Sequence, residues 1–218
     1  MFLQSNSFMG MFHKGANYEK FCFCFDRDLP SKNSITFCFS VNDYNSIAIS
    51  KGQILKHYQE WSPSFRIEFD IMVSSVLKEI WTNVFHFTIG GNNHHYGDRI
   101  PAFWIRKNKK FGIFSAVNNN KNHYQEFDFK MNQQYQILIR QFYKQCGKYV
   151  YQIEIDGQIK HSVENNNAKV FENVKLYASD PWYTPFTSNY GLLKNLKVEQ
   201  GRSQITQIFN EQGCLEEL

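Results

Sequence analysis

The sequence predicts an all-β protein, a two-sheet antiparallel jelly-roll sandwich with a short C-terminal helix. Segments in which apolar and polar residues alternate recur about every ten residues, which is typical of strands with one buried face. Aromatic residues make up 17% of the chain, including 21 Phe and 12 Tyr, and such side chains pack well on a pleated sheet. At 218 residues the chain is long enough to bury a core as one domain.

The alternating segments give the predicted strands. In chain order they are 21–25, 34–39, 46–50, 65–73, 83–89, 102–106, 112–117, 124–129, 136–142, 149–155, 158–163, 170–178 and 192–198. Asp156-Gly157 lies between two of them and predicts a two-residue hairpin, because a type I′ turn requires positive φ. The alternation also predicts the following core residues: Phe65, Ile67, Phe69, Ile137, Ile139, Tyr151 and Ile153.

The sequence predicts a single domain spanning 1–218, in which the two ends are appendages to a central core. The core jelly roll is expected at about 21–200, with appendages at 1–20 and 201–218. In the second appendage Ser203 is a candidate helix cap, and Gly213 a candidate stop. Ile205, Ile208 and Phe209 would then lie on one face of a short helix.

Composition argues against several classes of function. The 24 basic and 20 acidic residues leave a dispersed net charge of +4, whereas binding to nucleic acid needs clustered basic residues. The densest basic run, 106–110, is typical of a solvated hairpin turn. No apolar run approaches the roughly 20 residues of a membrane-spanning helix.

The spacing of the cysteines and the start of the sequence bear on metal binding and on the compartment. The five cysteines include no C-x-x-C pair, which disfavours zinc, and Cys22 and Cys24 are expected to be reduced thiols on one strand face. A bridge from either to Cys38 remains an alternative. The start of the sequence has no signal-peptide pattern, and none of the 21 asparagines lies in an N-x-Ser/Thr sequon. These two absences favour an intracellular protein.

The segment Phe65–Val73 resembles the strand that carries the paired carboxylates of laminarinase-type glucanases. That family's pattern resembles E-x-D-x-x-E; Glu68 and Asp70 match its first two acids, but the third position holds Val73. A retaining glycosidase needs two carboxyl groups about 5–5.5 Å apart. The expectation is therefore that Glu68 and Asp70 are solvent-facing strand residues without hydrolase activity.

A second resemblance covers roughly residues 45–200. It is carried by the stretches 90–104, 174–183 and 191–196 together with the Asp156-Gly157 hairpin. The first stretch ends in the run Gly97-Asp98-Arg99-Ile100-Pro101-Ala102-Phe103-Trp104. These features resemble the laminin-G-like, lectin-like jelly-roll modules of the concanavalin A-like lectin/glucanase superfamily. The resemblance implies the sandwich fold and the binding of a glycan or a protein partner.

The order of the strands predicts where a binding site lies. If each connection after residue 83 reverses the chain, loops 90–99, 118–122 and 164–168 meet at one end, and loop 180–190 lies at the other. The candidate ligand-binding residues at the first end are Asn92, Asn93, His94, His95, Tyr96, Asp98, Asn118, Asn119, Asn120, Asn165 and Asn166. The site is expected to use them together with the stretch 97–104, and not the face of Glu68 and Asp70. Trp182 and Tyr183, at the second end, are either a sugar-stacking platform or a packed corner.

The chemistry of the candidate site leaves alternatives open. Asparagine suits hydroxyl-rich ligands and oxygen-coordinated calcium, yet it is equally an ordinary turn residue. Adjacent His94 and His95 do not have the spacing of a metal site. The sequence favours a non-enzymatic lectin-like binding module with no cofactor, calcium being the one alternative. A structural interaction subunit of a large intracellular assembly is the second hypothesis, and a divergent glycoside hydrolase the third.

Overall fold

The computed structural model describes residues 14–15, 18–19 and 39–201. The predicted strand at 21–25, most of the one at 34–39, the cysteines before residue 39 and the Ser203 helix lie outside these residues. The strands are β1 Lys14–Gly15, β2 Tyr18–Glu19, β3 Phe39–Ser46, β4 Gln53–Trp61, β5 Phe65–Val73, β6 Trp81–Thr88, β7 Ala102–Arg106, β8 Lys110–Val117, β9 Asn120–Asp128, β10 Gln134–Gln145, β11 Lys148–Ile155, β12 Gln158–Asn165, β13 Phe171–Ala178, β14 Thr184–Pro185 and β15 Gly191–Gly201.

The strands form two sheets packed as a sandwich. The first sheet has the order β1-β2-β3-β15-β5-β10-β11-β12, and the second has the order β4-β13-β6-β7-β8-β9. All pairs are antiparallel except the short pair of β14 with β6. Within the described residues the chain has no helix, and the predicted all-β sandwich is confirmed.

The core lies between the sheets and follows from the alternation of β5. Its odd-numbered residues from Phe65 to Val73 are buried, and the residues between them are half-buried. Facing side chains come from the second sheet, for example Phe85 and Phe103, whose rings lie 5.1 and 5.0 Å from Phe69. All seven predicted core residues are at most 8% exposed, which confirms that set.

Two predictions at the start of the domain differ from the structure. Residues 47–50 form no strand, and β4, which follows them, is not among the predicted strands. The reason is that β4 is an edge strand with little alternation: its buried residues, Tyr58 and Trp61, are three apart. A bulge also shifts the register of β4 against β13 between Leu176 and Tyr177. This shift further interrupts the alternation of buried and exposed residues.

The hairpin turns follow the expected backbone chemistry. Asp156 and Gly157 have φ of 52° and 73°, as the predicted β11–β12 turn requires. Asn118 and Asn119 link β8 to β9 with φ of 50° and 62°, a region that asparagine tolerates better than most residues. Part of the asparagine content of these loops is therefore explained by backbone conformation.

Cys146, in the β10–β11 turn, is disulfide-bonded.

Candidate functional site

The three Asn-rich segments meet at one end of the sandwich, as the strand order predicts. The Tyr96 hydroxyl donates to the carbonyl of Asn167 at 3.3 Å, and Lys121 Nζ donates to the carbonyl of His94 at 3.1 Å. The backbone N–H of Asn118 donates to Asn165 Oδ1 at 3.0 Å. We call this end, formed by residues 92–98, 118–122 and 165–167, the Asn rim.

Several amides of the Asn rim are occupied in holding its own turns. Asn118 Oδ1 accepts from the backbone N–H of Asn166 at 2.8 Å, and its Nδ2 donates to the carbonyl of Glu164 at 2.6 Å. Asn165 is 1% exposed, and its Nδ2 donates to Gln141 Oε1 at 2.8 Å. The side chain of Asn165, one of the predicted contact residues, therefore positions the rim instead of facing solvent.

Asp98 has a similar internal role. It is 1% exposed, and its Oδ2 accepts from the backbone N–H groups of His94 and His95 at 2.6 and 2.8 Å. Gly91 is needed beside it, because a Cβ there would lie 2.5 Å from both carboxylate oxygens. The carboxylate of Asp98 thus shapes the loop that presents the two histidines.

The rest of the predicted site residues reach the surface to different degrees. Asn92 and Tyr96 are half-buried, and burial raises the pKa of the Tyr96 hydroxyl above its ordinary value. The exposed members are Asn93, His94, His95, Asn118, Asn119, Asn120 and Asn166. Within the described residues, no group of three or more His, Cys, Asp and Glu side chains could hold a metal ion.

Arg99, which lies in the predicted stretch 97–104 but is not one of the individually predicted residues, joins the Asn rim to the second sheet. It is 4% exposed. Its Nε and Nη2 donate to the carbonyl and Oδ1 of Asn92 at 2.9 and 3.1 Å, and Nη1 donates to Asn122 Oδ1 at 3.1 Å. Asn122 in turn donates to Asn93 Oδ1. One guanidinium therefore fixes two of the rim's segments.

The other side of the Arg99 guanidinium packs on aromatic rings. Its Cζ lies 4.8 Å from the Trp104 ring centroid and 4.4 Å from that of Phe114, within cation–π range. Burial lowers the pKa of Arg99, while nearby Tyr183, Asp180 and Asp98 oppose that shift. Among the described residues no carboxylate forms an ion pair with Arg99. Its direct contacts are therefore rings and neutral oxygens, while the carboxylates of Asp180 and Asp98 stabilise this buried cation from a greater distance.

The loop after β13 adds two more rings to the same place. Tyr183 packs edge-on against Trp104 with centroids 5.6 Å apart, and it lies near enough to Arg99 to oppose the lowering of the Arg99 pKa. Trp182 is 41% exposed and lies edge-on to His86 and Tyr177. The prediction that Trp182 and Tyr183 lie at the far end from the Asn rim is wrong.

The reason for this error is the path of the chain after β13. That strand pairs with β6 as far as Tyr177 opposite His86, and β14 then pairs with β6 at Thr82 and Asn83. The intervening residues leave the plane of the sheet beside the middle of β6. Because His86 and Trp104 lie on the sheet face that points away from the core, the loop covers that outer face.

A buried histidine–carboxylate pair holds the loop in position. His86 Nδ1 lies 2.8 Å from Asp180 Oδ2, His86 Nε2 lies 2.5 Å from the carbonyl oxygen of Asp98, and both side chains are fully buried. Asp180 Oδ1 accepts from the backbone N–H groups of Trp182 and Tyr183 at 3.0 and 2.8 Å. A carbonyl oxygen can only accept, so His86 Nε2 carries a hydrogen and donates it to the carbonyl of Asp98. A second hydrogen lies between His86 Nδ1 and Asp180 Oδ2.

These side chains form a cluster next to the Asn rim. We call it the aromatic face, formed by Arg99, Trp104, Phe114, Trp182 and Tyr183. Arg99 and Trp104 are its buried base, Phe114 and Tyr183 are half-buried, and Trp182 is exposed. Such a surface can bind a ligand that has apolar patches and many hydroxyl groups.

The glucanase-like strand lies on the other sheet. Glu68 accepts from Arg66 at 2.7 Å and from Gln136 at 3.0 Å, and Asp70 accepts from Asn195 at 2.7 Å. A bulge in β15 opposite this pair opens a cleft of about 250 Å³ that Asp43 and Lys197 also line. Val73 is 1% exposed in the core, so position 73 points to the opposite face from the two acids.

We predict that the protein does not hydrolyse β-glucans. The regular alternation of β5 supplies no third acid from that strand beside Glu68 and Asp70, and both carboxylates are engaged by neighbouring side chains. Reducing-sugar release from laminarin and mixed-linkage glucan should equal the buffer blank. Turnover that disappears in Glu68→Gln would show instead that these acids are catalytic.

Comparisons with known proteins give fold-level likeness at low identity. No family model and no curated protein matches the sequence. The botulinum neurotoxin serotype D ligand binding domain in complex with N-acetylneuraminic acid is 12% identical, with a TM-score of 0.42 over 75% of this chain and 36% of that chain. The Ruminococcus gnavus IT-sialidase CBM40 bound to alpha2,3 sialyllactose is also 12% identical, with a TM-score of 0.44 over 73% of this chain and 90% of that one.

A third solved structure, the SAP-like pentraxin from Limulus polyphemus, is 10% identical, with a TM-score of 0.42 over 72% of this chain and 75% of that one. The chain spans less than half the length of the neurotoxin D domains it matches, 44% in one structure and 36% in another. The likeness is too distant to transfer a ligand or a site. Separately, no helix in the described part of the chain has the length and apolarity to cross a membrane.

Proposed function

We propose that this chain is a non-catalytic, lectin-like module that binds a glycan where the aromatic face meets the Asn rim. The observation that carries the proposal is Arg99, which is hydrogen-bonded to Asn92 and Asn122 of the rim and packed on Trp104 and Phe114 of the face. Two surfaces of complementary chemistry are thereby fixed side by side.

The aromatic face supplies the apolar half of the proposed recognition. A sugar ring has faces of C–H groups that pack on flat side chains, and a Trp or Tyr ring combines such a surface with a polar edge. Trp182 is the most accessible of these rings at 41% exposure, and Tyr183 and Phe114 are half-buried beside it.

The Asn rim supplies the polar half. Asn93, His94, His95 and Asn166 are exposed and carry donors and acceptors that suit hydroxyl groups. They are mounted on turns that buried groups hold, such as the Asp98 carboxylate under His94 and His95. A surface that is already ordered loses less conformational entropy on binding.

A glycan array followed by calorimetry with the best-binding glycan tests this proposal. Trp182→Ala should weaken binding at least tenfold, about 1.4 kcal/mol, because the most accessible stacking surface is removed. Trp182→Phe should retain more affinity than Trp182→Ala, since it keeps a flat ring. Ile159→Ala, at a residue 59% exposed on β12 of the first sheet, is the matched control and should bind as wild type.

Two outcomes would count against the proposal. If a glycan binds but Trp182→Ala and Asn93→Ala leave its affinity unchanged, the site lies elsewhere on the chain. If no glycan on the array binds, glycan recognition is wrong, and use of the domain as a protein-interaction subunit becomes the better hypothesis.

A further inference from the structure

Two histidines meet across the open side of the sandwich. His123 is on β9, the last strand of the second sheet, and His161 is on β12, the last strand of the first. Their Nε2 atoms lie 2.8 Å apart, and their ring centroids lie 4.9 Å apart. This contact joins two strands that have no partner strand on this side within the described residues.

The contact depends on protonation. Two ring nitrogens at hydrogen-bond distance need one hydrogen between them, so one Nε2 donates and the other accepts with its lone pair. A neutral pair satisfies this, and so does a pair carrying one extra proton. When both rings are imidazolium, neither Nε2 can accept, and two positive charges face each other at contact distance.

Among the described residues, no carboxylate acts on the pair to offset a second charge. The Tyr151 ring packs edge-on against both imidazoles, with centroids 6.0 and 6.3 Å away, and it is neutral at physiological pH. Burial lowers the pKa of His123 and of His161, and the neighbouring His123 lowers that of His161 further.

Most charged side chains of the surrounding strands have partners elsewhere. On β8 and β9, Lys110 pairs with Glu126 and Asp128, and Lys121 donates to the carbonyl of His94. On β11 and β12, Glu154 pairs with Arg140 and Glu164 with Lys144, while Lys160 donates to Gln158. Within the described residues, Tyr151 is the titratable side chain that packs against the pair.

We propose that His123 and His161 form a proton-sensitive latch, which closes the β9–β12 side of the sandwich at neutral pH and releases it in mildly acidic solution. The latch does not depend on the proposed glycan function. The latch is nevertheless connected to the proposed binding surface, because β9 also carries Asn122, which accepts a hydrogen bond from Arg99. Release of β9 would therefore loosen one of the two rim segments that Arg99 fixes.

The direction of the pH effect follows from proton linkage. The unfolded chain takes up protons at these histidines near pH 6.5, the ordinary value, whereas the folded pair takes them up at lower pH. The stabilisation by the latch is thus fully present above about pH 6.5 and is lost as the pH falls through the folded values. For each proton that the unfolded chain binds and the folded state does not, the folding equilibrium constant falls up to about tenfold for every unit by which the pH is lowered.

Denaturant unfolding of the full chain at pH 7.5 and pH 5.0 tests the latch. The folding equilibrium constant of the wild type should fall at least about fivefold more between these conditions than that of His123→Gln/His161→Gln, whose amides can pair without titrating. His57→Gln, at an exposed histidine of β4, should keep the wild-type response. Equal responses in the wild type and the double variant would overturn the proposal.

A second measurement keeps the test independent of how well the variants fold. Imidazole ¹⁵N chemical shifts of the wild type should show two coupled titrations displaced below pH 6.5, and the amides of β9 and β12 should exchange faster at pH 5.0 after correction for intrinsic rates. Two independent titrations at the ordinary histidine value, with unchanged exchange in both strands, would also overturn the latch.

Discussion

Replacing Phe69 with Ala is expected to lower the free energy of unfolding by about 3–5 kcal/mol, the range for deleting a buried phenylalanine. Phe69 is fully buried on β5, and its ring packs edge-on against Phe85 and Phe103 of the opposite sheet at 5.1 and 5.0 Å. The truncation removes the contact between the two sheets at their centre. Because neighbouring strands fix the surrounding rings, the cavity can collapse only in part.

Urea unfolding followed by tryptophan fluorescence measures this change. The matched control is Phe142→Ala, the same substitution at a residue that is 39% exposed on β10, where the loss should stay below about 1 kcal/mol. A loss under about 0.5 kcal/mol at both Phe65 and Phe69 is what surface positions show. That result would mean that the faces of β5 are inverted relative to the structure.

The elements that sequence predicts well are those in which one physical period dominates. β5 alternates without interruption because one face lies on the core and the other toward solvent, so its bounds, 65–73, were predicted without error. The Asp156-Gly157 hairpin was equally secure, since few residues tolerate positive φ. Counting the chain reversals at such hairpins is enough to predict that three segments lie at one end of the sandwich: 92–98, 118–122 and 165–167.

The elements that sequence missed depend on exceptions to that period. β4 packs through Tyr58 and Trp61 at the edge of its sheet, with a bulge in its register. The position of Trp182 depends on β13 and β14 sharing one edge of β6, which no local pattern encodes. A local count of reversals therefore does not show that Trp182 and Tyr183 fold over the outer face of the sheet, although Tyr190 of the same loop lies at the predicted end, against Ser74 and Ser75.

The candidate site illustrates a further limit of sequence. Asn165 and Asp98 look like surface loop residues in the sequence but are buried, because each satisfies backbone N–H groups of its own loop. Arg99 lies in the stretch 97–104 but is not one of the individually predicted binding residues. It is buried and bridges amides and rings. The feature of the sequence that could have predicted this packing is Trp104, an aromatic residue five positions later in the same run.

Replacing Asp180 with Ala is expected to cost about 3–5 kcal/mol of unfolding free energy, because each buried polar group left without its partner costs about 1–3 kcal/mol and Asp180 serves several such groups. The substitution leaves His86 with an unfilled ring nitrogen in a fully buried site, and it removes the acceptor for the backbone N–H groups of Trp182 and Tyr183. Urea unfolding would measure the loss. Asp128→Ala, at a side chain that is 84% exposed, is the control and should change stability by less than about 0.5 kcal/mol.

Asp180→Asn separates the role of charge from the role of hydrogen bonding. An amide at 180 can accept from both backbone N–H groups and donate to Nδ1 of a neutral His86, whose Nε2 hydrogen still reaches the carbonyl of Asp98. We therefore expect Asp180→Asn to recover most of the stability that Asp180→Ala loses. Similar losses in both variants would show that the carboxylate charge itself is required, and a loss under about 1 kcal/mol in Asp180→Ala would show that the pair does not hold the loop. Because the same loop carries Trp182, the recovery of stability in Asp180→Asn should bring with it the recovery of any glycan affinity that depends on the aromatic face.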